Sequence, residues 1–333
     1  MSLKVSPEKV RGRYVNPHAK AIRRSFVDVL LWKMGFYDDA GIVPPLPEDF
    51  KYPLPERVLD RQAPIAQWIN HSTFLVKVMG LTFLTDPIWS ARCSPFSCLG
   101  PKRKHLPPLE LESLGRVDYV LISHNHYDHL DKNTVKSLHK LYPDIMWIVP
   151  VGVRKWFTKL GIENVIELSW WEQVSFKAAT NPTIELTITG VPSQHFSGRK
   201  ISDFNKTLWS GWVVSCKKES VEKRFYFVGD TGYNPYDFKA IGKKWGSMDL
   251  SLIPIGSYSP RIFMAPVHVD PFDATKIHRE VGSLLSLAIH WNTFRLSDEG
   301  RLRPPYDLYL AMQEQKLDPL QFLAPAVGYE INW

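Results

Sequence analysis

The chain has 333 residues, 44% of them hydrophobic, enough for one large layered domain or two ordinary ones around a sizeable core. Its formal charge of +7, from 41 Lys and Arg against 34 Asp and Glu, is a modest basic excess that favours an anionic partner and selects none. No window approaches the roughly 18 to 20 apolar residues of a membrane span, the opening MSLKVSPEKVRGRY lacks the apolar segment of a secretory signal, and only Cys93, Cys98 and Cys216 carry thiols, without a C-x-x-C pair. A reducing, cytoplasmic setting is expected, with peripheral contact to a membrane as the other option.

Residues 1–65 are rich in Pro and charge and show no alternating strand pattern, so they read as an N-terminal extension to a single catalytic domain over 66–333. Within the extension, Ile22–Tyr37 has amphipathic helical spacing, with Phe26, Leu30, Trp32, Met34 and Phe36 beside Arg23 and Arg24. Such a helix either packs on the domain or faces a membrane surface. From Trp68 onward, FLVKVM and LTFLTD predict a hairpin turning near Gly80, followed by a Ser/Pro-rich loop over 90–108. Strands then alternate with helices: YVLIS, a helix over 134–141, MWIVP, and a helix over 151–160. VIELS, IELTITGV, WVVSC and RFYFVGD follow, then a helix over 236–245, LSLIPIG, a helix over 271–281, SLAIH, and a last helix over 306–315. Two hairpin-rich regions, each followed by helical crossovers, predict an α/β fold: a sandwich of two mixed sheets with helices outside.

The stretch SHNHYDHLD, residues 123–131, places three histidines and two aspartates directly after the apolar strand YVLI. An extended backbone puts His124 and His126 on one side, and Asp128 and His129 follow with the next turn, so four ligand-type groups converge from one loop. Imidazole and carboxylate together suit zinc or a related first-row metal. One short loop cannot complete two coordination spheres, so further ligands are expected at other strand ends. His195 after IELTITG, Asp230 at the end of RFYFVGD and His290 at the end of SLAIH meet that requirement.

This constellation resembles the metallo-β-lactamase superfamily, whose H-x-H-x-D-H signature stands here as His124, His126, Asp128 and His129. The resemblance implies an αββα sandwich with two metal ions at the sheet edge. His124, His126 and His195 would hold one ion, Asp128, His129 and His290 the other, and Asp230 would bridge them. Two Zn2+ per chain are expected, with iron or manganese as alternatives.

Longer segments, among them WINHSTFLV, FLTDPIWSARCSP, PSQHFSGR, FVGDTGY, IPIGSY, HVDP and AIHWNTF, resemble the N-acyl-phosphatidylethanolamine-hydrolysing phospholipase D family and its bacterial relatives. Asn70 stands where glycine is usual, and the SGRK segment departs from the animal pattern, which bears on acyl and head-group preference. The implied reaction is hydrolysis of an N-acylated phospholipid to an N-acylethanolamine and phosphatidic acid, with Asp128 and Asp230 orienting the attacking water and His268 in PVHVDP serving the leaving group. The alternative is a hydrolase of a small phosphorylated substrate or lactone, similar to L-ascorbate-6-phosphate lactonases, on the same metal site.

The expected partner is a phospholipid or another phosphodiester, with peripheral membrane contact. No nucleic acid is expected, because the chain has no extended basic stripe; a homodimer is compatible with the sequence. Other residues keep two readings. His71 and Asp86 match family motifs, and Asp86 either orients a ligand histidine or caps a turn. Lys102, Arg103 and Lys104 either meet lipid phosphates or form a solvated loop. Trp170, Trp171, Trp209 and Trp212 either pack the core or line an acyl groove.

Overall fold

In the computed structural model, residues 5–19, 28, 31–32, 34–37, 45–56, 60–179 and 181–333 are described. After a short hairpin of β1 (Glu8–Val10) and β2 (Arg13–Val15), two seven-stranded sheets pack face to face. The first contains β3 (Ile65–Asn70), β4 (Thr73–Val78), β5 (Leu81–Thr85), β6 (Tyr119–Leu121), β7 (Met146–Pro150) and β8 (Val165–Leu168). The second contains β9 (Gln173–Ala178), β10 (Asn181–Val191), β11 (Gly211–Lys218), β12 (Val221–Phe227), β13 (Met248–Pro254), β14 (Ser283–Ile289) and β15 (Phe322–Leu323). The last strand, β16 (Glu330–Asn332), returns to the first sheet and pairs antiparallel with β3. Each sheet begins antiparallel and ends parallel.

Parallel neighbours need long crossovers, and the helices α1 (Lys132–Leu141), α2 (Arg154–Thr158), α3 (Asp237–Trp245), α4 (Arg261–Met264), α5 (Pro271–Glu280) and α6 (Arg303–Glu314) lie in these connections. Their starts are written in the sequence. Asp131 accepts from the backbone N–H groups of Asn133 and Thr134 at the head of α1, and Asp270 caps α5 with Pro271 in the first turn.

The first sheet is apolar on both faces, and its period-two pattern divides the residues between two cores. Phe74, Val76, Phe83, Tyr119 and Leu121 point toward the second sheet, whereas Leu75, Leu84, Val120 and Trp147 point toward α1 and α2. The expected αββα sandwich is therefore the observed one.

Several boundaries differ for identifiable reasons. The strand β9 escaped the sequence pattern because it is an edge strand with charged or polar residues on its open face. β15 and β16 are too short to show a period. Helix α2 is shorter than the expected 151–160, since Gly152 takes φ 94 before it and Gly161 takes φ 75 after it. Helix α6 begins at Arg303 rather than 306, because Pro304 and Pro305 occupy a first turn that needs no N–H donors. Most of Ile22–Tyr37 lies outside the described residues. Of its described part, Trp32 and Tyr37 rest against Phe263 at 5.5 and 4.7 Å between ring centroids, and Met34 and Phe36 are exposed.

Candidate metal centre

Every residue named above as a candidate ligand follows a strand end, and all the ends lie at one edge of the sandwich. The loop after β6 supplies His124 to His129, β10 leads to His195, β12 to Asp230 and β14 to His290, while the β3–β4 turn contributes His71. Buried indoles fix these ends. Trp212 Nε1 donates to the Ile122 carbonyl at 2.9 Å, two residues before His124; Trp209 Nε1 donates to the Ser193 carbonyl at 2.9 Å, two residues before His195. Trp170 Nε1 in turn donates to the Trp209 carbonyl at 2.7 Å, so these three tryptophans are packing and positioning residues. The turn before Asp230 requires glycine. Gly229 has φ 67, and a Cβ there would stand 2.7 Å from Ser123 Cβ.

The side chains form two groups that meet at the carboxylates. His126 Nδ1 lies 2.7 Å from His124 Nε2 and 3.3 Å from His195 Nε2. In the other group, Asp128 Oδ2 lies 3.0 Å from His71 Nε2, 3.1 Å from His129 Nε2 and 3.5 Å from His290 Nε2. Asp230 Oδ2 stands between them, 3.0 Å from His290 Nε2, 3.2 Å from His129 Nε2, 3.7 Å from His195 Nε2 and 4.0 Å from His124 Nε2. His268 Nδ1 is also 4.0 Å from that oxygen.

Tautomers follow from the outer partners. The His195 Nδ1 faces the Val267 carbonyl at 2.9 Å, and a carbonyl can only accept, so Nδ1 carries the proton and Nε2 is left as an open lone pair. Ser123 Oγ donates its one hydrogen to Asp86 Oδ2 at 2.5 Å, so it accepts from His124 Nδ1 at 2.9 Å, which frees His124 Nε2 in the same way. Asp86 Oδ2 also lies 2.6 Å from His129 Nδ1, so this buried carboxylate orients two of the histidines, one directly and one through Ser123.

Charge at the edge is organised around the carboxylates. Burial holds His124 and His195 well below the usual imidazole range, His126 at about 4, and His71 and His268 at about 3. Burial opposes charge on His129 and His290 too, yet Asp230 and Asp128 hold His129 well above its usual value and His290 at about 9. Asp128 and Asp230 stay well below the usual carboxylate range against burial, with His129 as the foremost favourable neighbour. Positive charge is stabilised where the two carboxylates meet.

The donor set fits metal ions. His129 Nε2, both ring nitrogens of His290 and Asp230 Oδ1 are buried without an aligned hydrogen-bond partner among the described residues, although they approach other polar atoms closely. Within each candidate group the ligand atoms lie within 4.8 Å of one another, the spacing of donors disposed around a metal ion.

Two features lay outside the sequence reading. Arg199, in the atypical SGRK segment, is half-buried: its Nε donates to the Asn125 carbonyl at 2.6 Å, its Nη2 donates to the Leu130 carbonyl, and its guanidinium lies 4.4 Å over the Tyr127 ring. It therefore grips the ligand loop on both sides of Asp128. Asn16, from the N-terminal region, donates its Nδ2 to the His195 carbonyl at 2.7 Å. Of the basic run, Arg103 is buried and donates to the Ser90 and Ile88 carbonyls, both at 3.0 Å, while Lys102 and Lys104 are exposed. Asn70 is buried, donating to the Ile88 carbonyl at 3.2 Å.

Residues 82–291 match the Beta-lactamase superfamily domain, and the chain belongs to that superfamily. It is 42% identical over 258 residues to N-acyl-phosphatidylethanolamine-hydrolyzing phospholipase D 1 of Caenorhabditis elegans, covering 76% of this chain and 70% of that protein. It is 35% identical over 239 residues to the mitochondrial N-acyl-phosphatidylethanolamine-hydrolyzing phospholipase D of Saccharomyces cerevisiae, covering 71% of this chain but about half, 49%, of the yeast protein. In fold it is similar to Igni18, a metallo hydrolase from Ignicoccus hospitalis, with a TM-score of 0.59 at 18% identity over 81% of this chain and 98% of that one. The protein is thus a metal-dependent hydrolase by family.

Proposed function

We propose that the chain is a zinc-dependent phosphodiesterase of the phospholipase D type, hydrolysing N-acyl-phosphatidylethanolamine to an N-acylethanolamine and phosphatidic acid. The observation that carries this reading is the placing of Asp230 between two clusters of buried histidines, in a chain 42% identical to a protein named for that reaction. His124, His126 and His195 are assigned to one cation, Asp128, His129 and His290 to the other, and Asp230 to both. Zinc suits this nitrogen and oxygen donor set, which iron and manganese share.

When bound, two divalent cations would supply a water of lowered pKa and a positive seat for the phosphoryl oxygens. The chain's own residues do the rest. Asp128 and Asp230 orient the attacking water, and the fixed tautomers of His124 and His195 present lone pairs without rearrangement. His268, held neutral by burial, is assigned to donate a hydrogen bond to the departing alkoxide, and its Nδ1 is buried without a hydrogen-bond partner among the described residues. Arg261 Nη1 donates to the His268 carbonyl at 2.8 Å and steadies that residue.

Residues 66–333 are taken as the hydrolase domain. No helix among the described residues is long and apolar enough to cross a membrane. The exposed Met34 and Phe36 support peripheral contact of the 1–65 region with lipid.

The test couples metal analysis to a substrate panel: N-acyl-phosphatidylethanolamine vesicles beside bis(4-nitrophenyl) phosphate, a cyclic nucleotide and a sugar lactone. Two metal ions per chain and release of intact N-acylethanolamine are expected. Faster turnover of the lactone or the cyclic nucleotide than of the lipid would replace the proposed substrate.

A further inference from the structure

We propose that His71 holds no cation itself but is a positioning residue for Asp128, and through it for the cation assigned to Asp128, His129 and His290. The number of cations rests on the reading given above; the contact between His71 and Asp128 rests on its own geometry. His71 belongs to one cluster with those three residues, its ligand-type atom within 4.8 Å of theirs, so by distance alone it could be a fourth donor. Its hydrogen bonds assign it another task.

His71 Nε2 and Asp128 Oδ2 form a hydrogen bond at 3.0 Å. The Nε2 atoms of His129 and His290 lie 3.1 and 3.5 Å from the same oxygen, yet both are buried without an aligned hydrogen-bond partner among the described residues. A carboxylate oxygen only accepts, so His71 Nε2 carries the proton in this contact. His71 Nδ1 is buried with no hydrogen-bond partner among the described residues. The other tautomer would orphan a buried N–H and set a nitrogen lone pair against a carboxylate, two costs in place of one. His71 Nε2 therefore has no lone pair to give a cation. With one lone pair of Oδ2 taken by His71, the Asp128 carboxylate is held in place and its other lone pair is left for the metal.

The backbone of His71 reaches a second ligand. The residue sits in the turn between β3 and β4 with φ 43, a left-handed conformation that is costly for histidine and persists where the surroundings impose it. Those surroundings are specific. The His71 N–H donates to Thr293 Oγ1 at 2.6 Å, and the His71 carbonyl accepts from the Trp68 indole N–H and from the His290 backbone N–H, both at 3.0 Å. The His71 ring lies 4.2 Å from the His290 ring between centroids and meets Phe294 edge-on at 5.3 Å. One residue is thus bonded through its side chain to Asp128 and through its carbonyl to His290, two of the three residues assigned to a single cation.

The test compares two variants of the full chain, His71→Leu, which fills similar space without a donor, and His71→Gln, whose amide can place an N–H near the position of the imidazole Nε2. Competition with a chromogenic chelator gives the zinc affinity of each ion, and the cobalt-substituted proteins give a visible spectrum. His71→Leu is expected to weaken one of the two ions by about ten- to a hundredfold, the usual effect of losing an outer partner of a metal ligand, and to leave the other unchanged. His71→Gln is expected to recover that affinity together with the spectrum of the unaltered protein. If glutamine fails as leucine does and the spectrum changes, His71 is itself a ligand and the proposal is overturned. It is overturned equally if leucine keeps both affinities, or if both ions weaken alike, which is a general loss of structure. Absence of phospholipid turnover in the unaltered protein counts against the phosphodiesterase reading alone, because metal affinity is read without substrate.

Discussion

The Arg199 side chain and the Asn125 backbone are joined by a 2.6 Å hydrogen bond, and the Asn125 side chain answers by accepting the Gly198 N–H at 2.7 Å. With the second donation from Arg199 to the Leu130 carbonyl, a single guanidinium holds residues on both sides of Asp128. Planar paired donors are needed for this, and lysine cannot supply them. Arg199→Ala and Arg199→Lys should therefore both weaken zinc binding by about ten- to a hundredfold, the usual effect of losing an outer partner of a metal ligand. Competition with a chromogenic chelator measures this, and the visible spectrum of the cobalt-substituted protein should change with it. An unchanged spectrum and affinity would show that the grip on the loop does not reach the ligands.

Asp230 approaches five histidines through one oxygen, so replacing it affects both groups together. Asp230→Asn should lower the metal content and reduce turnover by about a hundredfold or more. Metal analysis beside initial rates checks this; near-normal turnover would remove Asp230 from its assigned place between the cations.

His268 is assigned a hydrogen bond that only a poor leaving group needs. His268→Gln should slow release of N-acylethanolamine from the lipid by about a hundred- to ten-thousandfold. The same variant should hydrolyse bis(4-nitrophenyl) phosphate at close to the normal rate, because 4-nitrophenolate departs without a proton. Its metal content should not change. Equal losses on both substrates would mean that His268 serves binding or structure instead.

Thiol reactivity offers a check on the packing. Cys98 is exposed and Cys93 and Cys216 are buried. Burial pushes the Cys216 thiol up to about 12 and raises Cys93 as well, so both remain protonated, unreactive thiols at mildly alkaline pH. A disulfide reagent at pH 8 should titrate one of the three thiols in the native protein and all three in guanidinium chloride.

The amino-acid pattern exposed much of this architecture because both sheets are buried and their strands are nearly continuous apolar runs. YVLI, MWIVP and LSLIPIG all became strands, and the polar residues that follow such runs marked the edge where His124, His195, Asp230 and His290 meet. What remained hidden depended on long-range contact. Arg199 reads as one basic residue among several until its donors are seen on carbonyls about 70 positions earlier. His71 and Asp128 are 57 residues apart, and no local spacing pairs them. Lys104 and Arg295 come from different loops, so the pocket they share is a property of the fold.

The return of β16 to β3 sets a clock on synthesis. About 260 residues separate the two strands, and at translation rates of roughly 5 to 20 residues per second the edge of β3 waits some 13 to 52 s for its partner. Over that interval the nascent chain presents an apolar strand with unpaired backbone groups, the kind of edge that recruits other chains. The burden of solubility during synthesis therefore falls on whatever shields β3 before the final strand emerges.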